Sequence, residues 1–141
     1  HVGTLEVSME SIRHYCDAIG ETSPIYLDDR YAEDEGPYGF IVAPPGILQT
    51  ATLMPGPDAQ IKFDGTGFLA GTRQEFFSPV RPGDRIDAYA QVKEIYEKTG
   101  RSGRMVFVVR RTRYQNQHGE DVAAIESSAV MRQVKAVGGN E

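Results

Sequence analysis

Residues 47–54, Ile-Leu-Gln-Thr-Ala-Thr-Leu-Met, are apolar on most of the surface a helix would give them. Pro44 and Pro45 precede them, with the fixed φ that suits a first helical turn, and Pro55-Gly56-Pro57 stops them abruptly. A helix without a polar face must be buried, so the remaining chain has to build a wall around it. From Phe68 onward the residue types favour strands, with turn signals at regular intervals. A tight connection is expected at 78–84, a hairpin turn at 99–103 and another turn at 116–119. Between them lie strands over 86–96, 105–114 and 122–134. An apolar helix finds its natural partner in the concave face of a curved antiparallel sheet. The expected fold class is therefore α+β, a curved antiparallel sheet wrapped around a central buried helix.

The front of the chain reads differently. Residues 4–7 suit a short strand, and Ser8 is a plausible N-cap. Ile12, Tyr15, Cys16 and Ile19 recur at helical spacing, and Gly20 supplies the stop. Asp28 or Asp29 can cap a second short helix through Ala32, ended by Gly36-Pro37. The 141 residues fit one domain, expected over 1–135, with a flexible tail over 136–141. A net charge of −5 argues against nucleic acid as a partner. No apolar run approaches the roughly 20 residues that cross a bilayer, so no membrane partner is expected. The single cysteine, Cys16, excludes an internal disulfide framework and suits a reducing cytoplasm. The chain begins at His1 rather than Met, which leaves open a leader that has been removed.

Four segments carry a resemblance that spans residues 4–134. Gly20-Glu21-Thr22-Ser23-Pro24-Ile25-Tyr26 closes the first helix, and Ala43-Pro44-Pro45-Gly46 opens the second. Arg81-Pro82-Gly83-Asp84 and Lys98-Thr99-Gly100-Arg101-Ser102-Gly103 follow in the strand-rich half. In this order and spacing they resemble the MaoC-like (R)-specific enoyl-CoA hydratases and dehydratases, which have the hotdog fold. In active members the first run reads Gly-Asp-x-Asn-Pro-x-His, and its Asp and His handle the protons. Here Glu21 stands at the Asp position, Ser23 at the Asn position and Tyr26 at the His position. The resemblance thus implies a hydratase domain with a degenerate dyad.

Hydration of a trans-2-enoyl thioester needs a polarised carbonyl and a base for the attacking water. In the family a backbone amide at the start of the central helix binds the carbonyl oxygen, which makes Gly46 or Ile47 the candidate donor here. Gly46 also permits close approach of a ligand to the backbone. Glu21 is one methylene longer than Asp and carries its carboxylate about 1 Å from the family position, a displacement that can cost about a hundredfold. A tyrosine of pKa about 10 cannot replace a histidine base at pH 7. Losing a general acid–base group forfeits about 10²–10⁴ in rate.

The resemblance implies the substrate-accommodating subunit of a heteromeric enoyl-CoA hydratase, which adds water syn to give 3-hydroxyacyl-CoA. A second MaoC-like subunit would carry the Asp-His dyad. A bulky or long acyl group, a fatty acid or steroid side chain, would be the load. Pro45, Ile41, Leu48, Thr52 and Phe68 are candidate substrate-binding residues, with plain core packing as the other reading. Acyl-CoA is the substrate, and no cofactor and no metal are expected. His14 and His118 read as surface residues, and Cys16 as a packing residue. Arg73, Arg101, Arg104, Arg110, Arg111 and Arg113 are candidates for CoA phosphates or for solvated sheet faces. Two other readings stay open. One is a homodimeric acyl-CoA thioesterase using Glu21, and the other a non-catalytic acyl-CoA-binding domain.

Overall fold

A computed structural model describes residues 1–101 and 103–133. Its elements run β1 (Gly3–Glu6), α1 (Met9–Ile19), α2 (Pro24–Leu27), α3 (Asp29–Asp34), a central 3-10 helix (Pro45–Ala51), β2 (Thr66–Phe76), β3 (Arg85–Gly100), β4 (Gly103–Gln115) and β5 (Asp121–Arg132). The strands form one antiparallel sheet in the order β1-β3-β4-β5-β2. Register shifts at Val92/Glu94 in β3 and Leu69/Gly71 in β2 add local twist. The sheet curls around the central helix, the hotdog arrangement expected from the sequence. Val134 and the expected tail at 136–141 lie outside the described residues.

The front helices follow their local signals. Ser8 caps α1, accepting from the Ser11 amide at 3.0 Å, while Ser11 Oγ accepts from the Ser8 amide at 2.9 Å. Gly20 ends α1 in the left-handed conformation, φ 72°. Asp28 caps α3 by accepting from the Tyr31 amide at 3.0 Å. The one-turn helix α2 was not expected. Pro24 at its first position has the φ that the turn needs.

The central helix departs from expectation in kind and length. It is a 3-10 helix ending at Ala51, not a helix through Met54. Ile47, Leu48 and Ala51 are buried, but Leu53 is 73% exposed and Met54 50% exposed. The cause is a competing set of backbone bonds. The Leu53 and Met54 amides both donate to the Val2 carbonyl, at 3.0 and 2.9 Å, which draws the chain off the helix axis towards the N-terminal segment. Pro55 adds to this by disfavouring helical backbone at Met54. Residues 52–65 then continue without regular structure to β2. Gly56 in this segment lies beside Ala90 and Arg110, and Arg110 Nε donates to the Pro57 carbonyl at 3.3 Å.

Ile12 and Cys16 of α1, Ile47 and Leu48 of the central helix, Ile86 of β3 and Val122 of β5 are the largest fully buried side chains. At the far edge β2 runs for 11 residues with β5 as its single neighbour in the sheet, and it is exposed along nearly its whole length. Long unshielded edges are avoided in proteins that stay single, because their free N–H and C=O groups template pairing.

Candidate active site

A cavity of about 370 Å³ opens between α2, the central helix and the end of β2. Tyr26, Pro45 and Leu48 meet in its wall, so three of the residues expected at the site come together. Ile25, Tyr38, Val42, Ala43, Phe76, Phe77 and Val80 complete most of the lining, and no charged side chain contributes to it. The other expected residues lie elsewhere. Ile41 is buried in the core. Thr52 shares a hydrogen bond of 3.2 Å with the Tyr114 hydroxyl. Phe68 sits on the edge strand opposite Val130, 52% exposed.

The two dyad positions are near one another but face different spaces. Gly20 reverses the chain after α1, and Glu21 then lines a separate open depression with Arg13, His14 and Asp17. Its Oε1 accepts from the Ser23 amide at 2.8 Å, just ahead of α2. The carboxylate thus has a structural partner in its own loop. Tyr26 points into the cavity wall. Burial raises its phenol above the ordinary value of about 10, and the charge of Glu21 raises it further. The hydroxyl therefore stays protonated at neutral pH and cannot accept water's proton.

The start of the central helix also differs from expectation. The Ile47 amide already donates to the Pro44 carbonyl at 3.0 Å, so it is not the open donor. Pro44 and Pro45 have no N–H. Gly46 is thus the first residue of the turn with an uncommitted amide, because no backbone carbonyl among the described residues accepts from it. A methyl group at Gly46 would overlap the Tyr15 hydroxyl, so the near neighbour of Gly46 is the end of a side chain of α1.

The candidate arginines are mostly held by carboxylates of the sheet. Arg73 pairs with Glu75 at 3.1 Å, Arg111 with Glu126 at 2.7 Å and Arg113 with Asp121 at 3.6 Å. Arg104 pairs with Glu97. Hydrogen bonds from Lys93 and Arg111 hold the Glu126 carboxyl below the usual range. Among the described residues no group of three or more His, Cys, Asp or Glu side chains is placed to hold a metal ion. Among the described residues no helix is long and apolar enough to cross a membrane.

Residues 1–125 match the family model described as FAS1-like, dehydratase domain region. The chain belongs to this family of MaoC-like hotdog domains. It is 33% identical over 135 residues to a probable enoyl-CoA hydratase alpha subunit of Thermomonospora curvata, covering 83% of this chain and 42% of that protein. It is 29% identical over 104 residues to the 3-oxo-4,17-pregnadiene-20-carboxyl-CoA hydratase alpha subunit of Mycobacterium tuberculosis, covering 63% and 33%. The domain spans less than half the length of these two relatives. Among solved structures, a chain of the ChsH1-ChsH2 complex from Mycobacterium tuberculosis superposes with a TM-score of 0.74 at 22% identity, covering 97% of this chain and 85% of that one.

Sequence reasoning about the MaoC-like domain missed the aromatic pair Phe76-Phe77, which closes one side of the cavity. The signal was present: two adjacent aromatics at the end of a strand cannot both face the core, since neighbouring side chains alternate. The domain also carries a pH signature. Burial raises Tyr26, Tyr114 and the Cys16 thiol above their ordinary values. A raised folded pKa means that the unfolded chain loses its proton first. The stabilisation is complete below the unfolded values and is lost as pH climbs through the folded ones. The urea midpoint is therefore expected to fall above about pH 9, and to fall less steeply in Tyr26→Phe. Equal slopes in both proteins would contradict the placement of the Tyr26 hydroxyl.

Proposed function

We propose that this MaoC-like domain is the substrate-accommodating part of a heteromeric enoyl-CoA hydratase, with the Asp-His dyad supplied by a second MaoC-like chain. The observation that carries the reading is the state of its own dyad positions. Glu21 is bonded within its loop, and Tyr26 holds its proton beside a cavity without charged side chains. In the reaction the partner's pair would take a proton from water as the oxygen attacks the β-carbon, and return one to the α-carbon. This chain would shape the acyl site, and the enoyl-CoA and water would be the only small molecules required. The single Cys16 suits work in a reducing cytoplasm.

Two further features support an unlike partner and a bulky acyl group. The cavity of about 370 Å³ presents apolar and aromatic side chains, Leu48 and the Phe76-Phe77 pair among them, and no charged one. Phe76 also lies at the end of the exposed β2 edge. A partner strand paired along β2 would bring its own groups to the same cavity. The names of the two relatives, both hydratase alpha subunits and one acting on a steroid-type thioester, agree with this reading. The test is co-expression with a MaoC-like chain that keeps the intact Gly-Asp-x-Asn-Pro-x-His run, followed by copurification and hydration assays. The expected result is a stable complex whose kcat/KM favours a ring-bearing enoyl-CoA over crotonyl-CoA. A complex that prefers crotonyl-CoA would overturn the bulky-acyl assignment, and failure of every such chain to copurify would overturn the heteromer.

A further inference from the structure

The Arg81-Pro82-Gly83-Asp84 turn carries a cation with no ion-pair partner among the described residues. Gly83 adopts φ 95°, which favours glycine, and its amide donates to the Val7 carbonyl at 2.8 Å. Asp84 Oδ2 accepts from the Arg81 amide at 3.0 Å, and Oδ1 accepts from Gln117 Nε2 at 3.0 Å. On the other side the Val80 carbonyl accepts from the Ala43 amide at 2.7 Å. The backbone of Arg81 is thus fixed from both directions. Its guanidinium has no carboxylate within ion-pair distance among the described residues. It lies over the Phe40 ring, 4.1 Å from the centroid. Phe40 in turn packs against Tyr38, with centroids 6.0 Å apart, and Tyr38 lines the cavity.

A cation–π contact of this kind occupies none of the guanidinium N–H donors, and the Arg81 side chain makes no hydrogen bond among the described residues. A fork of unpaired donors, preset beside an uncharged cavity on a chain of net charge −5, suits a phosphate ester. We propose that Arg81, held against Phe40, binds a phosphate of the carrier to which the enoyl thioester is attached. This rests on the hydratase reading, because it makes the cavity's occupant a pantetheine thioester. The phosphate has two sources: the one joined directly to pantetheine, which CoA shares with acyl-carrier protein, and those at the adenosine end, which CoA alone has. The sheet arginines considered from sequence are a poorer choice, since Arg73, Arg104, Arg111 and Arg113 already have carboxylate partners.

The experiment measures binding of CoA, 4′-phosphopantetheine and pantetheine by calorimetry to the copurified complex, or to this chain if no complex forms. Arg81→Met is compared with wild type, with Arg30→Met on α3 as control. Arg81 is exposed and its amide bond to Asp84 survives the change, so the variant is expected to fold. Arg81→Met should weaken CoA about tenfold and leave pantetheine unchanged, the scale of one charge-assisted contact. An equal loss for phosphopantetheine assigns the contact to the pantetheine phosphate, and a loss for CoA alone assigns it to the adenosine end. Either upholds the proposal. No Arg81-dependent binding, an equal loss for all three ligands, or the same loss in Arg30→Met overturns it. Hydration is assayed on the same samples. In the copurified complex, Arg81-dependent CoA binding without hydration would refute the hydratase reading alone, and hydration with neither CoA binding nor the KM for enoyl-CoA depending on Arg81 would refute this inference alone.

Discussion

A complex of this domain with a chain carrying both catalytic side chains is expected to hydrate enoyl-CoA about 10²–10⁴ times faster than the domain alone. The estimate follows from proton transfer and nothing more elaborate. The attacking water must lose a proton near neutral pH. Tyr26 cannot accept it, because burial and the Glu21 charge keep the phenol protonated. Glu21 faces another depression, and its Oε1 accepts from the Ser23 amide. The nearest histidine in sequence, His14, lines that same depression and not the cavity. What this chain can offer alone is a shaped apolar site, which lacks a base. The comparison requires kcat/KM for one ring-bearing enoyl-CoA, with the isolated domain and the complex at equal concentration. Rates within tenfold of each other would mean that the chain carries a competent base.

Gly3→Ala is expected to destabilise the fold by about 3 kcal/mol, lowering the melting temperature by about 10 °C or more. Gly3 opens β1 where the strand crosses the end of the central helix. A methyl group there would overlap the Ala51 carbonyl oxygen and stand 2.9 Å from the Leu53 amide nitrogen. Both are backbone atoms, and neither can move freely. The Leu53 and Met54 amides are bonded to the Val2 carbonyl, and Ala51 is buried. Relief would require breaking the contact that ends the helix. Gly71→Ala on the edge strand is the control, since a methyl group there meets nothing within 4 Å. It should be neutral or slightly stabilising. Equal melting temperatures for both variants would contradict the crossing of β1 and the helix.

Local chemistry made much of the architecture legible. Ser8, Gly20 and Asp28 act where a capping residue must act, and turn residues separate β3, β4 and β5. These are nearest-neighbour effects, so the sequence displays them. The end of the central helix was not legible, because it is decided by Val2, some fifty residues earlier, capturing the Leu53 and Met54 amides. The same distinction divides the site. Tyr26 and Pro45 lie on the two segments that the family resemblance singled out, and with Leu48 they line the cavity. Phe68, near the start of the strands, does not line it. Strand pairing, which no local pattern reveals, sets it opposite Val130 on the exposed edge. The ion pairs of Arg111 and Arg113 depend on cross-strand register in the same way.

The central claim is that this hotdog domain contributes a cavity and no proton-transfer group. Its most direct test is kcat of the reconstituted complex carrying Glu21→Gln and Tyr26→Phe in this chain. Glutamine keeps an acceptor for the Ser23 amide and phenylalanine keeps the ring, so only the ionisable functions are removed. The expected kcat stays within about threefold of the unmodified complex, far from the 10²–10⁴ lost with a general acid–base residue. A fall of about a hundredfold or more, with the complex still assembled, would contradict the account.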